Sequence, residues 1–169
     1  PGYVRLVKVG PDTPNITGHV SARMIKRIVT EGEPFRDFEL TIVDGDTAEV
    51  FDRQTFQSGV FANRNRVTYY DRRGDVDVPY MGMAVWRVLE RLGSCDSVVI
   101  EATDGFSVEL DHADVIENDD VILAMYTGTE DAQLGPDEWP LRLVWDKDAA
   151  VVPEGIKAVK NVVKLTVVR

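Results

Sequence analysis

The chain has 169 residues, 44% of them hydrophobic, and a formal net charge of -10 at pH 7. This length and composition fit one compact domain with a hydrophobic core. The negative charge argues against nucleic acid or an anionic membrane as the main partner, and the sequence has no apolar run long enough to span a membrane.

The charges are distributed unevenly along the chain. From Asp96 to Glu138 there are 13 acidic residues and no Lys or Arg, whereas the segment from Gly155 to Arg169 has four basic residues and no acid. We therefore expect an electrically polarised domain. Solubility accounts for most acidic surfaces, but a basic segment in so acidic a chain is less expected by chance.

Two short elements are predicted near the N-terminus. Tyr3 to Val9 alternates bulky and charged residues, which indicates a strand, and Ser21 to Thr30 has the apolar spacing of a short helix. We expect this N-terminal strand and helix, residues 1–37, to pack on a domain formed by residues 38–169. Because the chain begins with proline rather than methionine, we also expect it to be a piece of a longer protein.

A β-hairpin is predicted next. Phe38 to Val43 and Thr47 to Phe51 are strand-like, and Asp44-Gly45-Asp46 between them is a strong turn signal. Three further elements are predicted before residue 80: a helical turn at 53–58, a strand at 62–70 and a charged loop at 72–79.

The middle of the chain predicts a helix followed by a second hairpin. The helix runs from Met83 to Leu92 and ends at Gly93, which favours a left-handed cap. Its apolar residues recur at i, i+3, i+4 and i+7: Val85, Val88, Leu89 and Leu92. The hairpin turns at Asp104-Gly105, and apolar positions alternate on both sides of that turn: Val98, Ile100, Ala102, Phe106, Val108 and Leu110.

The remaining residues predict mainly strands. In order they give a helical turn at 111–116 with Asp111 as its N-cap, a buried strand at 121–126, an acidic loop at 127–139, a strand at 141–145, a basic loop opening at 153–155 and a last strand at 162–168. The predicted fold class is α+β, with a mixed β-sheet and short helices that cover the sheet edges.

The order of these motifs resembles the oxidoreductase molybdopterin-binding domain, the fold of the sulfite oxidase family. The resemblance spans residues 38–168. It is carried by Tyr80-Met81-Gly82, the helix that ends at Gly93, Asp104 to Val108, Leu123 to Tyr126, Gly135-Pro136, Leu141 to Val144 and Val159 to Leu165.

The resemblance implies a metal ligand that this chain lacks. In that family the metal is held by two dithiolene sulfurs of a pterin and by one cysteine thiolate, because a soft sulfur suits a redox-active metal. The ligand position falls near Val60 if Asn63-Arg64 is aligned, or near Tyr69 to Asp71 if the strand is aligned. The only cysteine is Cys95, after the predicted helix. Its expected role is a buried structural thiol, and no metal ligand is predicted.

The resemblance also implies a site for the phosphate of molybdopterin. Gly155, Lys157 and Lys160 match the family's Gly-x-Lys loop and its second lysine, and a glycine turn with ammonium groups suits an anion. Arg142 matches a recurring family position, and Arg64 and Arg66 offer guanidinium forks for a phosphate. The alternative for each of these residues is a surface charge that offsets the acidic stretch.

No catalytic residue is assigned from the sequence. His19 and His112 are the only histidines, and no serine nucleophile motif accompanies either of them. Trp86, Trp139 and Trp145 are candidates to line a pocket, although core packing explains most such residues.

Two functions follow from these patterns. The first is an oxidoreductase molybdopterin-binding-like domain without the usual metal–thiolate centre. The resemblance implies molybdopterin or another phosphate-bearing cofactor, but the stronger expectation is that no cofactor is bound. The alternative is a non-catalytic binding or assembly module of a larger exported protein, whose partner is a protein. The two differ in whether Lys157, Lys160 and Arg64 converge in one cleft lined by Tyr69 or Trp86.

Overall fold

The computed structural model describes residues 36–57, 64–90, 95–129, 132–151 and 155–169. All of them belong to residues 35–169, the second of two compact units into which the chain divides. Several predictions fall outside the described residues: the strand at Tyr3–Val9, the helix at Ser21–Thr30, the packing of residues 1–37, the ligand position near Val60, the cap at Gly93 and the loop start at Pro153-Glu154.

Within the described residues the chain forms ten strands and three short helices. They are β1 (Glu39–Asp44), β2 (Thr47–Asp52), α1 (Arg53–Gln57), β3 (Asn65–Asp71), β4 (Val76–Ala84), α2 (Val85–Leu89), β5 (Ser97–Ala102), β6 (Ser107–Asp111), α3 (His112–Val115), β7 (Val121–Thr127), β8 (Ala132–Gln133), β9 (Arg142–Trp145) and β10 (Val162–Val168). None of the helices in the described part is long and apolar enough to span a membrane.

The first sheet has the strand order β2-β1-β10-β5-β6. The two predicted hairpins form its edges, and both turns use a glycine with positive φ, 57° at Gly45 and 83° at Gly105. The last strand, β10, enters the centre of the sheet parallel to β1, so that Thr41 lies opposite Lys164. The two ends of the described domain are therefore joined by backbone pairing.

The second sheet has the strand order β3-β4-β7-β8, with β9 also paired to β7. All of these pairs are antiparallel. The β4–β7 pair has a register shift between Met81 and Gly82. A Cβ atom at Gly82 would lie 2.0 Å from the Leu123 carbonyl oxygen. Only glycine fits this close approach of two backbones.

The core formed by the described residues contains two clusters of buried side chains. The larger one joins both sheets and α2, with members such as Leu40, Ile100, Met83, Leu123 and Val88. The smaller one lies on the other side of the second sheet, because successive residues of a strand point to opposite faces. We call this side the far face. It carries Val67, Tyr80, Ile122, Ala124 and Val144, and loop residues including Leu134, Trp139 and Ala158 pack against it.

The structure confirms most of the predicted elements and corrects two of them. Both hairpins, the helical turns at α1 and α3, and the strands β3, β7, β9 and β10 are where the sequence predicts them. The charged loop predicted at 72–79 is wrong in its second half, because β4 begins at Val76. The helix predicted from Met83 begins only at Val85, since Met83 and Ala84 pair with β7 as part of β4.

Two smaller corrections concern loops and caps. The acidic loop predicted at 127–139 contains the two-residue strand β8, which pairs with the end of β7. Asp111 occupies the predicted N-cap position of α3, but its side chain makes no capping hydrogen bond. The architecture is a mixed, sheet-rich α+β domain with few short helices, in agreement with the predicted fold class.

Candidate functional site

Arg142 is the one predicted site residue that the fold buries. It lies in β9 opposite Ala124 of β7, and its side chain shares the far face with Val144. Only 5% of its surface is exposed. Its guanidinium carbon lies 5.3 Å from the ring centroid of Tyr69 and 5.0 Å from that of Tyr80. Two tyrosine rings thus flank a buried cation, and both attract it electrostatically.

The charge of Arg142 is neutralised by a carboxylate four residues earlier in the chain. Arg142 Nη1 donates hydrogen bonds to the Tyr80 hydroxyl group and to Glu138 Oε1. The Tyr80 hydroxyl in turn donates to the same carboxylate oxygen at 3.1 Å. The side chains of Arg142 and Glu138 are only 7% and 14% exposed. A buried cation needs such a partner, because an unpaired charge in the interior costs several kcal/mol.

The tyrosine in this cluster is held in its neutral form. Burial is the main reason that the pKa of Tyr80 is raised well above its ordinary value, and the nearby Glu138 carboxylate raises it further against the opposing effect of Arg142. A protonated hydroxyl group can donate to Glu138 while it accepts from Arg142. The arrangement is therefore a closed hydrogen-bond triangle.

Lys160 reaches the same carboxylate from the loop before β10. Its Nζ atom lies 3.2 Å from Asp137 Oδ2 and 3.7 Å from Glu138 Oε1. The hydrogen bond from Lys160 is the main cause of the lowered pKa of Asp137. The structure thus brings together two of the six predicted anion-binding residues, Arg142 and Lys160, and places acids against both. We call Tyr80, Asp137, Glu138, Arg142 and Lys160 the Arg142 cluster.

Arg64 and Arg66 belong to a different side of the second sheet. Arg66 lies opposite Met81 in the β3–β4 register, whereas the adjacent pair, Val67 and Tyr80, points to the far face. Arg66 Nη1 donates to the Gly128 carbonyl oxygen at 3.3 Å. The guanidinium carbon of Arg64 lies 5.4 Å from the ring centroid of Tyr126. The β-sheet separates Arg66 from Arg142.

The predicted glycine–lysine loop is on the surface. Gly155 has a φ of 71°, which suits the glycine turn implied by the sequence. Gly155 and Lys157 are both exposed. Lys160 belongs to the Arg142 cluster, so the two lysines of this loop have different surroundings.

The residues do not fit the metal–thiolate centre that the resemblance implies. Tyr69, at one alignment of the ligand position, packs edge-on against Tyr80 and Trp145, with centroids 6.4 and 5.7 Å away. Cys95 lies in the segment that leads to β5 of the other sheet and is 8% exposed. Its burial raises the pKa of the thiol, which disfavours the thiolate that binds metals. Among the described residues, no group of three or more His, Cys, Asp or Glu side chains is placed to hold a metal ion.

Sequence reasoning missed two parts of this picture. The sequence presents Glu138 only as one acid of a long acidic loop, and its spacing of four residues from Arg142 does not predict an ion pair, because the two residues do not lie on a helix. A pocket of about 320 Å³ between α2 and α3 was also missed, and it contains Trp86 and His112. Trp86 is a predicted candidate to line a pocket, but only Leu89 and Glu90 of its partners are close in sequence, and the others lie in the segment from His112 to Glu117.

No protein-family model matches this chain, and a search of curated protein sequences also found no match.

Proposed function

We propose that residues 38–169 form a divergent domain of the oxidoreductase molybdopterin-binding type that has no metal–thiolate centre and acts as a non-catalytic binding or assembly module. The proposal on fold is supported by the succession of elements from β4 onward. A strand with Gly82, the short helix α2, the β5–β6 hairpin, buried β7 and β9, and the closing strand β10 follow one another in the order that the resemblance implies.

The contacts of the Arg142 side chain are the main support for the proposed non-catalytic function. A guanidinium that binds a phosphate must face the ligand with free N–H groups. Arg142 instead directs Nη1 to Tyr80 and Glu138, Lys160 lies beside the same carboxylate, and Arg142 Nε, which has no hydrogen-bond partner among the described residues, is itself buried. A phosphate placed here would be repelled by the two carboxylates of Asp137 and Glu138. The cluster therefore has the character of a structural ion pair.

The absence of a suitably placed thiol supports the same conclusion. The sequence has one cysteine. Cys95 precedes β5 in the first sheet, whereas the implied ligand positions precede or lie in β3 of the second sheet. Without a soft ligand the chain lacks the usual means of holding the metal.

A second candidate function is a domain that binds a phosphate-bearing cofactor with a different ligand set. It is favoured by the glycine turn at Gly155 and by the exposed ammonium group of Lys157. Both features suit an anion. They lie at the surface, which gives less binding energy than a buried site.

Protein purified from two hosts, one that makes the pterin cofactor and one that cannot, tests the proposal. The proposed module has the same thermal unfolding midpoint from both hosts, because no cofactor stabilises the native state. A cofactor at about 100 times its Kd adds about 2.7 kcal/mol and raises the midpoint by several degrees. Lys157→Ala is the matched variant. If the unfolding midpoint is higher in protein from the host that makes the pterin, and this change removes the difference, the second candidate function is established and the first is refuted.

A further inference from the structure

A preformed pocket lies between α2 and α3, away from the Arg142 cluster. Its volume is about 320 Å³, which is at the lower end for a specific ligand site. Leu89 and Val115 provide a buried apolar floor, and Trp86 lies beside them. Ile116 also lines the pocket and is 46% exposed. The pocket is thus open to solvent and has an apolar interior.

The aromatic wall of this pocket is held in place by polar contacts. The Trp86 indole nitrogen donates to Asp119 Oδ1 at 2.9 Å. The guanidinium carbon of Arg87 lies 4.3 Å from the centroid of the Trp86 ring, and Arg87 Nε lies 3.7 Å from the same oxygen of Asp119. Because these contacts fix the ring, a ligand need not spend binding energy on ordering it.

The charges at the pocket are acidic. Glu90 and Glu117 line it, and both are exposed. The charge of Arg87 is offset by Asp119, as the short distance between them indicates. Of the described residues that line the pocket, none is Lys or Arg, and His112 is the remaining titratable side chain. An acidic rim around an apolar interior attracts a basic ligand and repels an acidic one.

We propose that this pocket is the docking site for a basic segment of a protein partner, in which a bulky apolar side chain enters between α2 and α3 and flanking Arg or Lys residues pair with Glu90 and Glu117. This inference rests on the proposed function, since it names the surface through which the module binds. The apolar side chain supplies affinity by leaving water. The two ion pairs supply selectivity for basic over acidic segments.

The probes are short synthetic peptides that carry a central Leu, Phe or Trp flanked by arginines, together with matched peptides in which glutamates replace the arginines. They are added to the full chain labelled with 15N, and the indole N–H signal of Trp86 is followed. We expect the arginine peptides to shift this signal and the glutamate peptides to leave it unchanged. Ile116→Ser should weaken the shift, because it removes apolar surface from the mouth of the pocket without changing its charge.

A charge reversal at the rim tests the ionic part of the inference. The double change Glu90→Lys and Glu117→Lys should weaken binding of the arginine peptides about tenfold or more. The double change Glu39→Lys and Glu49→Lys, at exposed positions of β1 and β2 in the first sheet, is the matched control because it alters the net charge equally, and it should bind like the unaltered chain. Unfolding midpoints confirm that the variants are folded, which is expected because Glu90, Ile116 and Glu117 are exposed.

Three results would overturn the inference: no peptide shifts the Trp86 signal, both peptide series shift it equally, or the lysine variants bind as tightly as the unaltered chain. The comparison of the two hosts is independent of this experiment. If the peptides do not bind and the unfolding midpoint is the same from both hosts, the docking site is refuted and the proposed function stands. If the peptides bind and the midpoint shows that the protein also holds a cofactor, the docking site stands and the proposed function is refuted.

Discussion

The Tyr80 hydroxyl group donates a hydrogen bond to the Glu138 carboxylate at 3.1 Å, across 58 residues of the chain. The same hydroxyl accepts a hydrogen bond from Arg142. Tyr80 therefore connects the two partners of a buried ion pair and ties β4 to the loop before β9. This relationship makes Arg142 part of the domain's structure.

Replacing Glu138→Ala should destabilise the domain by about 3 kcal/mol, because the Arg142 guanidinium would remain buried without a counter-charge. The free energy of unfolding is measured by urea titration. The matched control is Glu101→Ala, which removes the partner of Lys164 from a surface pair whose side chains are 37% and 38% exposed. That change should cost less than about 1 kcal/mol. Equal losses in the two variants would contradict a structural role for the Arg142 cluster.

Gly82→Ala should destabilise the domain by about 3 kcal/mol or more. The added Cβ would lie 2.0 Å from the Leu123 carbonyl oxygen and 2.6 Å from the Ala124 Cα atom, and backbone atoms cannot move aside cheaply. Gly74→Ala is the control, since its nearest neighbour is the side-chain atom Val76 Cγ1 at 3.1 Å. Unfolding by urea compares the two. If Gly82→Ala were as stable as Gly74→Ala, the β4–β7 pairing described above would be wrong.

The ion pair between Asp44 and Arg169 should make stability depend on pH in the acid range. The hydrogen bonds from Arg169 are the main reason that the pKa of Asp44 is lowered from 3.8. A carboxyl whose pKa is lower in the folded state stabilises that state above its unfolded pKa, and the effect is lost as the pH falls through the folded pKa. Asp44→Asn should therefore lower the urea midpoint at pH 7 and have progressively less effect below pH 3.8.

Asp46→Asn, in the same exposed turn, is the control for this pH dependence because it removes one negative charge as well. It should have little effect on the urea midpoint at either pH. A loss in Asp44→Asn that stays the same from pH 7 to well below pH 3.8 would show that the ionised pair with Arg169 is not its cause.

Cys95 should react slowly with a thiol reagent in the folded protein at pH 7. It is 8% exposed, and burial raises the pKa of its thiol, so that little reactive thiolate is present. The reaction is followed by absorbance with a chromogenic disulfide, and the same protein in urea should react completely and fast. Rapid reaction of the native protein would indicate an accessible thiolate and would reopen the question of a metal ligand.

The parts of the fold that the sequence predicts best are those set by local chemistry. Gly45 adopts positive φ in the two-residue turn between β1 and β2, and Gly105 does so in the four-residue connection between β5 and β6; alternation on each side of these turns defines the hairpins. The first half of strand β4 was not predicted, because charged residues and Pro79 interrupt the alternation of apolar and polar residues. The strand also depends on pairing with β7, which lies more than 35 residues later in the chain. Long-range pairing of this kind overrides local propensity.

The candidate site shows the same limit. The sequence selected Arg142 and Lys160 as anion-binding residues from the resemblance, but it gave no information on which acids would approach them. Glu138 meets both because the loop before β9 folds back over the far face of the second sheet. In the same way, the pocket beside Trp86 exists only because α3 packs next to α2, and no periodic pattern links these two helices.

The most direct test of the central claim is elemental analysis for molybdenum and tungsten on protein purified from a host that makes the pterin cofactor, with the released pterin measured by fluorescence after denaturation. A divergent domain without the metal–thiolate centre contains neither metal nor pterin in stoichiometric amount. One molybdenum or tungsten atom per chain, together with pterin, would contradict the account and would show that a residue other than cysteine serves as the protein ligand.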